Sequence, residues 1–272
     1  MNAPAPHPLP ARSLAAILVA LVLIALLGGL GGSASAARWK PKPTTAPWQW
    51  QLQGKIDTSV PAAVYEVDGF DVGRSVVSKL HAKGRRVICY LDVGSWESYR
   101  PDRDAFPKSV IGNRYEGYPN ERWMDIRRID LLAKPLRKRF DLCRSKGFDA
   151  VEPDNDNGYT NNTGFPLTAS DQLRFNRWVA KEVHRRGMSV ALKNDPEQAG
   201  QLADAFDFAV VEECFQYREC GQFSPFIDRG KAVFEAEYEL SPSQFCTKAA
   251  NLRFSAIRKS YDLFAKPWLT CL

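Results

Sequence analysis

Eight short apolar segments alternate along the chain with stretches of helical spacing, and this alternation restricts the fold more than any other feature. The strand candidates are Trp48–Leu52, Ala62–Val67, Arg86–Asp92, Asp149–Asp154, Ser189–Leu192, Asp207–Val211, Lys231–Phe234 and Phe254–Arg258. Helices are predicted over Ser75–Lys83, around Leu136, Phe140 and Cys143, over Asp171–Arg186 and over Glu197–Ala205. Gly84, Gly147 and Gly187 mark helix ends. Strands that alternate with helices imply a parallel sheet, and eight such units predict an α/β fold, a single-domain (β/α)8 TIM barrel over residues 48–272. A doubly wound open sheet is the alternative, but no G-x-G-x-x-G fingerprint follows a strand. Gly94–Arg128 is expected to be a long polar loop.

In such a barrel the C-terminal strand ends converge on one mouth, where active sites are built. Here those ends carry Asp68, Asp92, Asp154, Lys193 with Asn194, Glu212 and Glu237. The densest run is Phe148–Tyr159, in which an apolar segment leads straight into Glu152, Asp154 and Asp156. Side chains alternate along a strand, so Glu152 and Asp154 share a face. Stacked like charges cost folding energy, which a site tolerates better than a scaffold does.

Carboxylates of this kind serve either acid–base chemistry or a metal. A calcium loop fails on spacing. With Gly158 at its sixth position, Pro153 falls at the first and Gly164 at the twelfth, where a bidentate Glu is required. Zinc lacks a C-x-x-C pair, and His81 and His184 stand alone, so no metal and no cofactor are expected. No nucleophile elbow is present either. Paired carboxylates remain, the requirement of glycoside hydrolysis. Trp48, Trp50, Trp96, Tyr159 and Tyr217 offer flat apolar faces to sugar rings, although each also suits core packing.

Residues 1–36 have the form of a secretory signal. Arg12 precedes fourteen uninterrupted apolar residues, Leu14 to Leu27, and Ala34-Ser35-Ala36 supplies a small-residue cleavage site after Ala36. An uncleaved membrane anchor is the alternative; with the signal removed, no membrane association is expected. Residues 37–47 are Pro-rich and read as an extended linker. An exported chain with six cysteines implies disulfides, and fifteen pairings are open. Local spacing favours Cys214–Cys220 and Cys246–Cys271, which leaves Cys89 for Cys143. The net charge of +6 admits anionic partners, but no nucleic-acid motif accompanies it, so nucleic acid is set aside.

Six segments in order carry a more specific signal: Trp48-Gln-Trp-Gln-Leu, Cys89-Tyr-Leu-Asp-Val-Gly-Ser-Trp-Glu, Trp123-Met-Asp-Ile-Arg, Val151-Glu-Pro-Asp-Asn, Leu192-Lys-Asn-Asp and Phe208-Ala-Val-Val-Glu-Glu-Cys-Phe. Together they resemble glycoside hydrolase family 114, the endo-α-1,4-polygalactosaminidases, from about Trp48 to Cys271. The resemblance implies a barrel that cuts α-1,4-linked galactosamine polymers internally. Asp154 would be its nucleophile and Glu212 its general acid/base. Glu152 and Glu213 are the nearest rivals, and strand parity leaves Glu212 against Glu213 open. Asp92, Asp125, Glu152, Asp156 and Asp195 are candidates for amine or hydroxyl contacts, and Lys193 for holding the nucleophile ionised. The expectation is a secreted, monomeric enzyme of polysaccharide, retaining in mechanism. A non-catalytic polysaccharide-binding or export factor on the same barrel, or an α-galactosidase-like hydrolase, is the alternative.

Overall fold

Strands form where β-branched and aromatic residues can pack on two faces at once, and in this chain both faces of the sheet are buried. The computed structural model describes Met1, residues 38–43 and residues 46–271. The apolar segment before Ala36 and its cleavage site lie outside the described residues. Eight parallel strands form the sheet: β1 (Trp48–Gln51), β2 (Val64–Asp68), β3 (Arg86–Asp92), β7 (Ala150–Asp154), β8 (Ser189–Lys193), β9 (Phe208–Glu212), β10 (Val233–Glu237) and β11 (Ser255–Arg258). A ninth, β12 (Leu269–Thr270), runs antiparallel to β11. All eight predicted strands are present, in a single nearly closed barrel.

Alternate residues divide the two layers. Val64, Ile88, Ala150, Ala191, Phe208, Val210, Phe234, Ala236 and Ile257 point inward, with Trp48 and Trp50. Their neighbours Val67, Val87, Cys89, Leu91, Val151, Val190, Leu192, Ala209, Val211 and Val233 belong to the layer between sheet and helices. Alanines at three inward positions leave room for the two indoles, which stack at 5.6 Å.

The longer helices follow from their caps and apolar stripes. These are α1 (Arg74–His81), α2 (Ile129–Lys146) and α3 (Ala169–His184). A left-handed Gly147 (φ 92°) ends α2, and a Thr168–Asp171 capping box starts α3. The helix predicted over Glu197–Ala205 shrinks to α4 (Ala199–Leu202), and α5 (Ser224–Asp228) and α6 (Pro242–Leu252) complete the ring. Among the described residues no helix is long and apolar enough to cross a membrane.

Two departures from the expected layout matter. The loop expected over Gly94–Arg128 is an arm carrying a three-stranded antiparallel sheet, β4 (Ser95–Glu97), β5 (Ile111–Tyr115) and β6 (Tyr118–Met124), in the order β4-β6-β5. Its hairpin turns at Glu116-Gly117, where Gly117 takes φ 83°. Arg139 of α2, fully buried, fastens the arm to the wall through Asp102 (2.8 and 2.9 Å) and the Asp92 carbonyl (2.7 Å). Second, β1 and β11 do not pair directly. Residues 259–268 fill the seam: Leu52 N donates to Leu263 O (3.0 Å), and Trp268 Nε1 donates to Trp48 O (2.8 Å). Lys259, buried there, donates to Gln49 Oε1 (2.9 Å) and Phe264 O (2.7 Å), and burial lowers its pKa to about 8.

At the opposite end, residues 38–43 cross the N-terminal ends of the strands rather than running free. Trp39 packs on Phe208 (5.8 Å), and Ala232 N donates to Pro41 O (3.0 Å).

Three disulfides join Cys89–Cys143, Cys214–Cys220 and Cys246–Cys271, the pairing favoured by spacing. The first closes 54 residues and the second only 6, so their effects on the unfolded chain differ. Cys89→Ala with Cys143→Ala is expected to cost about 4 kcal/mol, and Cys214→Ala with Cys220→Ala about 2 kcal/mol. Urea unfolding under non-reducing conditions measures both; equal losses would remove the loop-length explanation.

Candidate active site

Strand direction brings one inward residue from each of six strand ends toward the mouth: Asp68, Tyr90, Asp154, Lys193, Glu212 and, just past β10, Tyr238. A cleft of about 380 Å³ opens there, lined also by Trp50, Tyr99, Arg100, Tyr115, Tyr118, Glu121 and Tyr261.

Lys193 is its centre. Nζ lies 2.8 Å from Asp154 Oδ1, 3.1 Å from Glu212 Oε2 and 3.1 Å from Glu152 Oε1, and 5.0 Å above the Trp50 ring. Burial alone would strip this ammonium of its proton, but three carboxylates keep its pKa well above the usual lysine value. The effect is mutual. Burial pushes Asp154 upward, yet the Lys193 charge and hydrogen bonds from Lys193 and Tyr90 (2.8 Å to Oδ2) outweigh it and hold that carboxyl below its ordinary range. Glu212 accepts from Tyr238 Oη (2.5 Å) and Asn194 Nδ2 (3.2 Å), and its own N–H donates to Asn194 Oδ1 (2.9 Å). Below them Glu66 and Glu152 face each other, fully buried. Burial raises both; repulsion from Glu152 adds to it and holds Glu66 well above normal, whereas Lys193 and the contact with protonated Glu66 oppose it in Glu152.

The turn beyond each of these strands is built alike. Asn155, Asn194 and Glu213, each immediately after a cleft residue, have φ of 60°, 50° and 53°. Asparagine tolerates this left-handed region, and it ends the strand at the residue that must face the cleft. Gly94 is forced by the same turn, because a Cβ there would lie 1.7 Å from Asn155 O.

Asp68, Asp154, Lys193, Asn194 and Glu212 therefore meet in the cleft. Asp68 is already occupied, paired with Arg100 (2.7 and 3.0 Å) and accepting from Phe70 N and Asp71 N. Glu213 turns to the rim and accepts from Tyr261 Oη (2.8 Å), so of the two it is Glu212 that faces the cleft. The remaining expected contacts do not line the cleft. Trp48 is the barrel floor beneath Trp50, with no exposure. Asp92 is buried and accepts from Gly94 N, Ser95 N and Asn155 Nδ2. Trp96 donates to Arg103 O (3.0 Å) on the arm, and Asp125 pairs with Arg127 (2.8 Å). Asp156, Tyr159 and Asp195 lie toward α3, where Asn176 Nδ2 donates to Asp156 O and Asp195 Oδ2. Burial raises Asp195 to about 8. Glu237 points outward and caps the loop after β9 through Phe215 N (2.8 Å). Among the described residues no group of three or more His, Cys, Asp or Glu side chains is arranged to hold a metal.

Two carboxylates meeting across a lysine in an open, tyrosine-lined cleft are the equipment of a glycosidase. The sequence pattern of glycoside-hydrolase family GH114 matches residues 31–271. The chain belongs to this family. As a GH114 member it is a glycoside hydrolase, and solved structures agree. Ega3 of Aspergillus fumigatus, crystallised as a complex with galactosamine, is 34% identical, with a TM-score of 0.80 over 86% of this chain and 98% of its own. The glycoside hydrolase domain of PelA from Pseudomonas aeruginosa shares the fold at 12% identity, with a TM-score of 0.66 over 82% of this chain and 98% of its own. No curated protein sequence matches this GH114 chain.

Proposed function

We propose that this GH114 enzyme is a secreted, retaining endo-glycosidase of α-1,4-linked galactosamine polysaccharide, with Asp154 as nucleophile and Glu212 as general acid/base. The observation that carries the reading is the meeting of these two side chains, from strands distant in sequence, at Lys193 in an open cleft. A common nitrogen 2.8 Å from one and 3.1 Å from the other leaves those oxygens no more than about 6 Å apart. Retaining pairs stand roughly 5–5.5 Å apart, inverting pairs roughly 6.5–9.5 Å.

The chemistry follows from the two environments. Lys193 and Tyr90 keep Asp154 ionised, as attack on an anomeric carbon requires. Glu212 protonates the departing glycosidic oxygen, a β-linked glycosyl ester forms on Asp154, and Glu212 then takes a proton from the water that cleaves it. Asp71, Glu121, Asp154, Glu212 and Asp262 make the cleft acidic on a chain of net charge +6. That local field suits a cationic amino sugar, and the galactosamine complex of Ega3 supports the same substrate. Residues 1–36 would direct export, with cleavage after Ala36, and the three disulfides suit an oxidising compartment. Residues 48–272 would act as a monomer.

Proton NMR of the first products from de-acetylated galactosamine polymer tests the reaction class. The α anomer is expected before mutarotation, with oligosaccharides of several lengths; an initial β anomer would exclude retention.

A further inference from the structure

One buried carboxyl of the cleft has neither a part in the hydrolytic steps nor a cation beside it. Glu121, on β6 of the arm, is 9% exposed and lines the cleft with Asp154 and Tyr118. The cleft carboxylates at the strand ends have cations: Asp68 has Arg100, and Asp154 and Glu212 have Lys193. Among the described residues Glu121 has none within salt-bridge distance. Among the same residues its side chain has one hydrogen-bonding neighbour, Ser95, whose Oγ donates to Glu121 Oε2 (3.0 Å) and to Asp92 Oδ2 (2.5 Å). Beyond that contact Glu121 lines the cleft with no charge partner.

We propose that Glu121 receives the ammonium of the galactosamine unit seated beside Asp154, and that this contact selects de-acetylated units. The inference rests on the galactosamine reading given above. The 2-amino group sits on the carbon next to the anomeric carbon, so a carboxyl flanking the nucleophile is placed to meet it. An ammonium supplies the charge partner that Glu121 lacks. An N-acetyl group brings no charge and leaves a buried carboxyl unpaired, the arrangement by which polar sites reject analogues.

The surroundings of Glu121 also set its pH behaviour. Burial first, then Asp154 and Glu97, raise it to about 7, against smaller opposing effects of Ser95 and Arg100. Asp92, Tyr90, Tyr99 and Tyr118 are the other titratable groups that feel its charge. Below about 7 the free enzyme holds Glu121 neutral and attracts an ammonium weakly; above it the carboxylate forms. The value of kcat/KM on a cationic substrate therefore rises through that pH until the sugar amine loses its own proton.

The test compares wild type and Glu121→Gln on de-acetylated and N-acetylated galactosamine oligomers, each over a pH series. The ratio of kcat/KM for the two substrates is independent of how much variant is folded. It is expected to fall roughly 30- to 100-fold in the variant, the worth of a hydrogen bond to a charged group. The rise near pH 7 on the cationic substrate is expected to vanish, and Glu121→Asp to keep part of the preference. A wild type that cleaves galactosamine polymer while Glu121→Gln keeps both ratio and pH profile overturns this inference alone. A wild type that cleaves no galactosamine polymer overturns the substrate reading, and this inference with it.

Discussion

Asp154→Asn is expected to lower kcat/KM on galactosamine polymer by roughly four orders of magnitude or more, the scale on which removal of a covalent nucleophile is felt. The amide is nearly isosteric and can still accept from Tyr90, so the fold should survive and the loss report on chemistry. Glu212→Gln is expected to lose roughly 10²- to 10⁴-fold on polymer, as for a general acid/base, and far less on an aryl glycoside whose leaving group needs no proton. Azide separates the roles further. With the smaller Asp154→Gly it should restore turnover and give a β-glycosyl azide, because the anion takes the place of the missing carboxylate. Substantial polymer cleavage by either of the isosteric variants would remove that residue from the mechanism.

Lys193→Met should have the second-largest effect, on stability and on pH dependence together. Without the ammonium, Glu152 has no cation and keeps no exposure, and Asp154 loses the charge that holds it below its ordinary range. Breaking a buried pair by deleting one partner typically costs about 3–5 kcal/mol. The sign follows from linkage. In the wild type, the depressed pKa of Asp154 contributes stability above the unfolded carboxyl value, lost as pH falls through the folded one. In the variant the raised carboxylates reverse this, so the deficit should be largest at neutral pH and shrink in acid. The acid limb of the kcat/KM profile should move to higher pH. Urea unfolding at pH 4 and pH 7, with the rate profile, checks both; an unmoved acid limb would leave Lys193 a purely structural role.

The barrel was legible because eight apolar segments cannot all be buried on two faces in many other ways. Asp154 and Glu212, the proposed pair, were named through the family resemblance; strand-end position alone marked them as candidates and left Glu212 against Glu213 open. Glu237 shows where that logic stops. It also ends a strand, but the inward positions of β10 and its extension are Phe234, Ala236 and Tyr238, so Tyr238 reaches Glu212 and Glu237 caps a loop. Parity within one strand does not say which set faces the barrel axis until neighbouring strands fix it. Glu121 escaped for another reason. It comes from the arm, whose short strands lack a clear apolar alternation and whose one local signal is the Glu116-Gly117 turn. Asn155 and Asn194 did carry a readable sign, since asparagine directly after a strand suits a left-handed turn.

The C-terminal seam has a bearing on how the enzyme matures. Residues 259–268 supply the contacts across the gap between β1 and β11, and Tyr261, Asp262 and Leu263 form part of the cleft rim. A ribosome-bound chain that still lacks them has its first strand unsatisfied along one edge and its cleft unwalled on one side. Catalytic competence therefore depends on this one segment docking into the gap, because the same residues close the barrel wall and complete the rim on which substrate must rest.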